Sequence, residues 1–293
     1  RQMCIRDRFT ISPSCGAQIV TDATTAATFC YYCHNPVVLG GRLEGKFLPD
    51  QVIPFAVSRE DAEKGFKDYV CKKKFVPRAF YNKKQVESIT GVYFPYWHYN
   101  TSLEGKMQGE ARNVRVWRTG NTEYTETKYY QVSREGDVKL ENLTENALGK
   151  ANQELICGVM PYDFKDVKKF QLGFLSGFLA EKRDIEKKQI EKKVQQEARE
   201  SAEKLMREQI NGYSSVSVKN ADFRALKEKW SYTLLPVWTI TYKAKNGKIY
   251  YFSMNGQTGK VYGELPTDYK KISLVSGIVS LVTLVILLLG GLA

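Results

Sequence analysis

Four positions near the N-terminus constrain this chain more than any others. Cys30 and Cys33 form a C-x-x-C pair, and Ser12 and Cys15 stand in the same spacing upstream, with serine where a first cysteine belongs. Two such knuckles at this separation hold one tetrahedral zinc through four thiolates and leave little freedom for the chain between them. Here the zinc ligands in register are Cys15, Cys30 and Cys33, with Ser12 in the fourth place and His34 as a possible substitute. A serine hydroxyl is neutral and weakly basic, so the sequence announces a zinc ribbon and weakens it in the same stroke. Gly16 and Asn35-Pro36 lie where tight turns after each knuckle are needed. Cys30-x-x-Cys33-His34 also matches a c-type haem attachment site, a reading opposed by the upstream half-knuckle.

The second constraint lies at the other end. From Ile272 to Ala293 the chain carries no charged residue, and as a helix this stretch reaches roughly 33 Å, enough to cross a hydrocarbon core. Lys270 and Lys271 precede it, which favours a body on the cytoplasmic side. Residues 270–293 are therefore expected to be a transmembrane helix, cut short at Ala293. At the start, Met3 to Arg8 reads as translated adaptor sequence, so residues 1–8 are set aside as an artefact, Cys4 with them.

Net charge is +12, and discounting Arg1, Arg6, Arg8 and Asp7 lowers it only to +10. Such a balance attracts anionic surfaces, whether lipid headgroups or nucleic acid. The densest basic run is Lys72, Lys73, Lys74, Arg78, Lys83 and Lys84, interleaved with Phe75, Phe80 and Tyr81. It can bind phosphate with ring stacking, sit on an anionic membrane, or be a helix end whose aromatics are core. Six cysteines at these spacings do not form a disulfide framework, which suits a reducing compartment.

Between the ends the pattern is mixed. Ser58 caps a helix with Asp61 at the capping-box position and Ala62, Phe66, Tyr69 and Val70 on one face. Strand-like stretches follow over 92–99, 114–117 and 127–132, with Gly109, Gly120 and Gly136 read as turns. From Asp166 the period becomes helical, with an apolar stripe through Ile185, Ile190, Val194, Ala198, Ala202, Leu205, Met206 and Ile210. A second strand group covers 213–262, with turns at Asn246-Gly247 and Asn255 to Lys260. Gly91–Trp97 resembles Tyr232–Trp238, each following a helix, which hints at an internal repeat. Trp97 and Trp238 read as core aromatics, and His98 as buried or exposed with equal ease. Gly40 to Phe47 nearly fits a P-loop, but Phe47 stands where the Mg²⁺-binding hydroxyl belongs, so it reads as a linker.

The fold class expected is α+β: an N-terminal zinc ribbon (9–46), a first α+β unit (47–165), a long amphipathic helix (166–212), a second β unit (213–268) and the C-terminal transmembrane helix. The helix-plus-sheet units are expected to be antiparallel. No catalytic constellation stands out.

Taken together, residues 12–39, 75–80, 91–97, 161–164, 175–182 and 235–260 resemble a family of bacterial membrane proteins that carry a transcription-factor-IIB-type zinc ribbon. The resemblance covers nearly the whole chain beyond residue 8. It implies a ribbon, a mixed body and one or more C-terminal membrane helices, and it supplies no activity. The label of primosomal helicase sometimes given to that family finds no P-loop here. The function expected is that of a non-enzymatic, membrane-tethered cytoplasmic interaction or scaffold module with zinc as cofactor and membrane lipid and a protein as partners. The alternatives are a membrane-associated nucleic-acid binder using the ribbon and the basic run, or, less favoured, a helicase-related or redox enzyme.

Overall fold

A computed structural model describes residues 9–30, 33, 35–77, 80, 86, 88–151, 153–244 and 247–290. They fall into two compact units, one drawn from residues 1–95, 150–182 and 234–293, the other from 96–149 and 183–233. The fold is mixed α+β, as expected.

In the first unit, β1 (Phe9–Ile11) and β2 (Gln18–Val20) make an antiparallel pair, and β3 (Thr25–Phe29) and β4 (Pro36–Val38) make a second. β5 (Gln51–Val52) leads to α1 (Arg59–Cys71) and then to β6 (Thr90–Thr119), of which residues 90–95 belong here. The sheet is completed by β8 (Lys168–Lys169), β9 (Leu179–Glu181), residues 234–243 of β10 (Ser215–Lys243), β11 (Ile249–Asn255) and β12 (Val261–Gly263). Its order is β12-β11-β10-β6-β9-β3-β4, with β5 beside β10 and β8. The cysteine-bearing hairpin β3–β4 is thus built into the sheet through β3 and β9, where Ala27 faces Ala180. Lys150 adds to this join, its Nζ 3.3 Å from Asp22 and 3.0 Å from Glu181. One pairing departs from the expected antiparallel pattern: β6 and β9 run parallel, Val92 opposite Leu179. A parallel neighbour needs a long crossover, and here the connection from β6 to β9 includes the whole of β7 (Thr122–Asn146) and the short helix α2 (Gln153–Gly158).

α1 forms for the reasons its sequence gives. The Ser58 hydroxyl accepts a hydrogen bond from Asp61 N at 3.1 Å, filling one of the orphan donors of the first turn. Ala62, Phe66 and Val70 then recur on one face and bury against Trp238 and Ile240 of β10 and Phe252 and Met254 of β11. Phe66 meets Phe252 edge-on at 4.7 Å and Phe80 at 5.4 Å. The expected turn at Asn255–Lys260 is present. Asn255 is fully buried; its Oδ1 accepts from Gln257 N and Thr258 N at 2.8 and 2.9 Å, and its Nδ2 donates to Val159 O and Pro161 O. Gly259 closes the turn at φ +74°. Asn246 of the other expected turn lies outside the described residues.

In the second unit, residues 96–119 of β6 pair in antiparallel register with β7 (Thr122–Asn146), from Tyr96 opposite Asn146 to Thr119 opposite Thr122. Gly120, at φ +60°, makes the expected turn between them. Gly109 and Gly136 do not turn. Both sit inside strands, Gly109 opposite Val132 and Gly136 opposite Gly105. Gly109 serves close approach instead, since a Cβ there would lie 2.4 Å from Ser217 O. The amphipathic helix is α3 (Lys187–Glu208), capped reciprocally by Glu186 and Gln189, so helix begins well after Asp166. Residues 166–186 instead hold β8, β9 and a 3₁₀ turn, because β9 is taken into the sheet. Ile190, Val194, Ala198, Ala202 and Met206 are buried as the stripe predicts, while Leu205 is exposed. Trp97 and Trp238 are both buried, each indole N–H bonded to a backbone carbonyl, of Ile185 and Val57 respectively.

In the first unit, α4 (Tyr269–Gly290) is the one helix among the described residues that is long and apolar enough to cross a membrane, and none of its span to Leu287 is buried by protein.

Candidate metal centre

The cysteines converge because two hairpin turns face each other. In the first, Ser12 N donates to Ala17 O at 2.8 Å and Gly16 N to Ser12 O at 2.9 Å, with Gly16 at φ +71°. That reversal is one a residue with a Cβ rarely adopts, and it presents Cys15 beside Ser12. In the second, Cys30 N donates to Asn35 O at 2.9 Å, closing the turn that carries Cys33. Ile19, Val37 and Leu39 bury against Cys30, with Ala17 and Cys33 half-covered at the edge.

The sulfurs of Cys15, Cys30 and Cys33 lie within 4.8 Å of one another. Cys15 Sγ is 3.6 Å from Cys30 Sγ, far beyond a disulfide bond length of about 2 Å. Zinc–sulfur bonds of about 2.3 Å in a tetrahedron place neighbouring sulfurs about 3.8 Å apart, so the spacing suits a shared cation. The Ser12 hydroxyl points into the same cluster, 3.6 Å from Cys33 Sγ, and the residue is 1 % exposed. An oxygen and a sulfur on one zinc would stand about 3.5 Å apart by the same geometry. Three cysteines that could hold a metal ion are therefore in place, and the Ser12 hydroxyl lies beside Cys33. His34 lies outside the described residues.

Lys72, Lys73 and Lys74 are exposed on the loop that leaves α1, whereas Arg78, Lys83 and Lys84 lie outside the described residues. His98 is in the second unit and buried. Its Nε2 pairs with Asn142 Oδ1 at 3.1 Å across a bulge where Asn142 adopts φ +63°. Burial lowers its pKa below the ordinary histidine value; the bond to Asn142 opposes this and Lys229 adds to it.

One feature of the first unit escapes the sequence altogether. A cavity of about 760 Å³ is walled by Phe29, Phe55, Phe178 and Trp238, with Ser58 and Arg59 at its rim. Phe55 stacks on Phe178 at 4.1 Å and meets Trp238 edge-on at 4.9 Å. Burial behind these rings raises the Tyr93 hydroxyl to about 12, against a smaller opposing effect of its backbone bond to Phe55. Phe29 immediately precedes Cys30, so the cavity and the cysteine cluster share a strand end.

No family model matches the chain, and no solved structure matches it. A Bacillus subtilis (strain 168) protein, described as "Uncharacterized protein YdjG", is 30% identical over 259 residues, which is 87% of this chain and 76% of that protein. At that identity and coverage, the chain belongs to the family of YdjG.

Proposed function

We propose that this chain is a non-enzymatic, membrane-tethered protein whose N-terminal hairpins form a zinc ribbon serving as a cytoplasmic interaction module. The α+β body would be the scaffold that presents it, and α4 the anchor. The observation that carries this reading is the convergence of Ser12, Cys15, Cys30 and Cys33 from two facing turns. Thiolate-rich tetrahedral sites favour zinc over the harder divalent ions. Cys15, Cys30 and Cys33 would bind as thiolates, with the Ser12 hydroxyl as fourth donor. Bound zinc supplies a crosslink between the two turns, in place of the core that so small a pair of hairpins lacks. The lysines in the first turn of α4, ahead of its apolar stretch, favour a body on the cytoplasmic face.

The test is the metal content of the purified, reduced full chain beside its Ser12→Cys variant. Zinc near one per chain in both is the expected result. Zinc only in Ser12→Cys would mean that three thiolates and a hydroxyl do not suffice and the ribbon is broken as written. Zinc in neither would remove the ribbon reading. Turnover by the metal-loaded chain on a hydrolase or oxidoreductase substrate panel would end the non-enzymatic part of it.

A nucleic-acid-binding role is the second reading, favoured by the exposure of Lys72, Lys73 and Lys74. It requires affinity for an oligonucleotide that falls steeply with salt.

A further inference from the structure

We propose that the loop leaving α1 and the first turn of α4 form one surface that binds the anionic headgroups of the bilayer α4 enters. The inference rests on the reading of α4 as a membrane span and adds to it a lipid-selective contact.

Two hydrogen bonds fasten the loop to the helix start. Asp268 N donates to Phe75 O at 2.7 Å, and Lys271 Nζ donates to Val76 O at 2.8 Å. Lys72, Lys73 and Lys74, distant in sequence from the anchor, are thereby held at its root. Residues 72–75 and 268–271 together carry five lysines and one aspartate. That aspartate is already engaged, its Oδ1 accepting from Lys271 N at 3.3 Å and its Oδ2 lying 3.7 Å from Lys271 Nζ.

The height of this cluster relative to a bilayer follows from the helix. Beyond Lys271 the chain has no charged residue, so the hydrocarbon boundary falls within about one turn of it. The fastened loop then lies at headgroup depth. Its aromatic residues fit that depth too: Phe75 is 37 % exposed and Tyr269 76 %, and aromatic rings gather at membrane interfaces. A lysine held there favours anionic over neutral lipid by about fivefold. Nucleic acid would use the same charges, but it gives no reason for them to be fastened to the base of an unburied apolar helix.

The experiment reconstitutes the full chain, with Phe75→Trp as reporter, into phosphatidylcholine vesicles. The vesicles contain a minor fraction of either brominated phosphatidylglycerol or brominated phosphatidylcholine. Bromine quenches nearby tryptophan, and the parent chain supplies the background of its four native tryptophans. Quenching of the added tryptophan at least about twofold stronger by the anionic lipid is expected, falling in molar salt where the screening length shrinks to about 3 Å. The preference should vanish when Lys72→Glu, Lys73→Glu and Lys74→Glu are combined, while the native tryptophan emission stays unchanged. Vesicle flotation separates the two ways of failing. A chain that does not float overturns the membrane reading and this inference with it. A chain that floats but is quenched equally by both lipids, or not at all, overturns this inference alone. Retention of a single-stranded oligonucleotide on the floated vesicles, abolished by the charge reversals and without lipid preference, would assign the lysines to nucleic acid instead.

Discussion

Two regions of the first unit reach order by opposite routes. The packing of α1 on β10 and β11 buries Ala62, Phe66, Val70, Trp238, Ile240, Phe252 and Met254 in one cluster, with Phe55, Val57 and Tyr69 packed around it. The cluster around the cysteines is smaller, with Ile19, Cys30, Val37 and Leu39 buried in it. Side chains of this kind stabilise by about 1.5–3 kcal/mol each when fully buried, and ordering each backbone residue costs about 1–2 kcal/mol. Four such residues by themselves offset only part of the cost of ordering the stretch from Ser12 to Leu39, which β3 also ties to the sheet. What those turns add is three sulfurs within 4.8 Å of one another, with the Ser12 hydroxyl 3.6 Å from Cys33 Sγ. On the zinc-ribbon proposal, one region is held by area and the other by coordination, and a disturbance that ruins one should leave the other standing.

The largest effect expected is at Cys30. Cys30→Ala removes a donor and a core side chain together. Structural zinc sites carry about 10–16 kcal/mol of apparent binding free energy, and losing a ligand forfeits much of it. Metal content should fall to background, and the amides of Gly16 and Cys30, bonded now to Ser12 O and Asn35 O, should lose hydrogen-exchange protection. Protection in α1 and β11 should hold. If it collapses too, β3–β9 pairing couples the two regions and the comparison is broken.

The reciprocal experiment is Phe66→Ala. Phe66 is fully buried between Phe80 and Phe252, and such a deletion costs about 3–5 kcal/mol. The urea midpoint should drop accordingly with zinc content unchanged.

How far these regions could be foreseen differs in the same way. The cysteine cluster was legible because ligand spacing is local, and so was the α1 start, because Ser58 and Asp61 are three residues apart. The turn at Asn255 was legible for the same reason. Gly109 was misread as a turn because its real constraint is Ser217, which lies in a different strand. The parallel β6–β9 pair joins residues that sequence distance separates. So do the walls of the aromatic cavity, whose Phe29, Phe55, Phe178 and Trp238 come from four separate stretches. Ser12 is the instructive middle case. Its chemistry argued against a ligand, yet the turn brings its hydroxyl to 3.6 Å from Cys33 Sγ.

Asn255→Ala probes a third way of holding a turn, by hydrogen bonds alone. The side chain serves two backbone donors and two backbone acceptors at a fully buried position. Stranding buried polar groups costs about 1–3 kcal/mol each, less where the chain relaxes. A loss of about 2–4 kcal/mol is expected, read from thermal unfolding, again without loss of zinc.

The smallest effect expected is at the cap of α1. Ser58→Ala removes the acceptor for Asp61 N, and caps of this type contribute about 1 kcal/mol. Ser58 also lines the rim of the aromatic cavity, and its hydroxyl donates to Asp61 Oδ2 at 2.8 Å. Ser58→Asp should therefore restore most of the loss, since a carboxylate accepts the same N–H and suits the positive end of the helix. A substitution that costs as much as Phe66→Ala, or one that Ser58→Asp does not rescue, would mean that the helix start and not the Phe66 face holds this region. The contrast between area and coordination would then have to be redrawn as one between a cap and a metal.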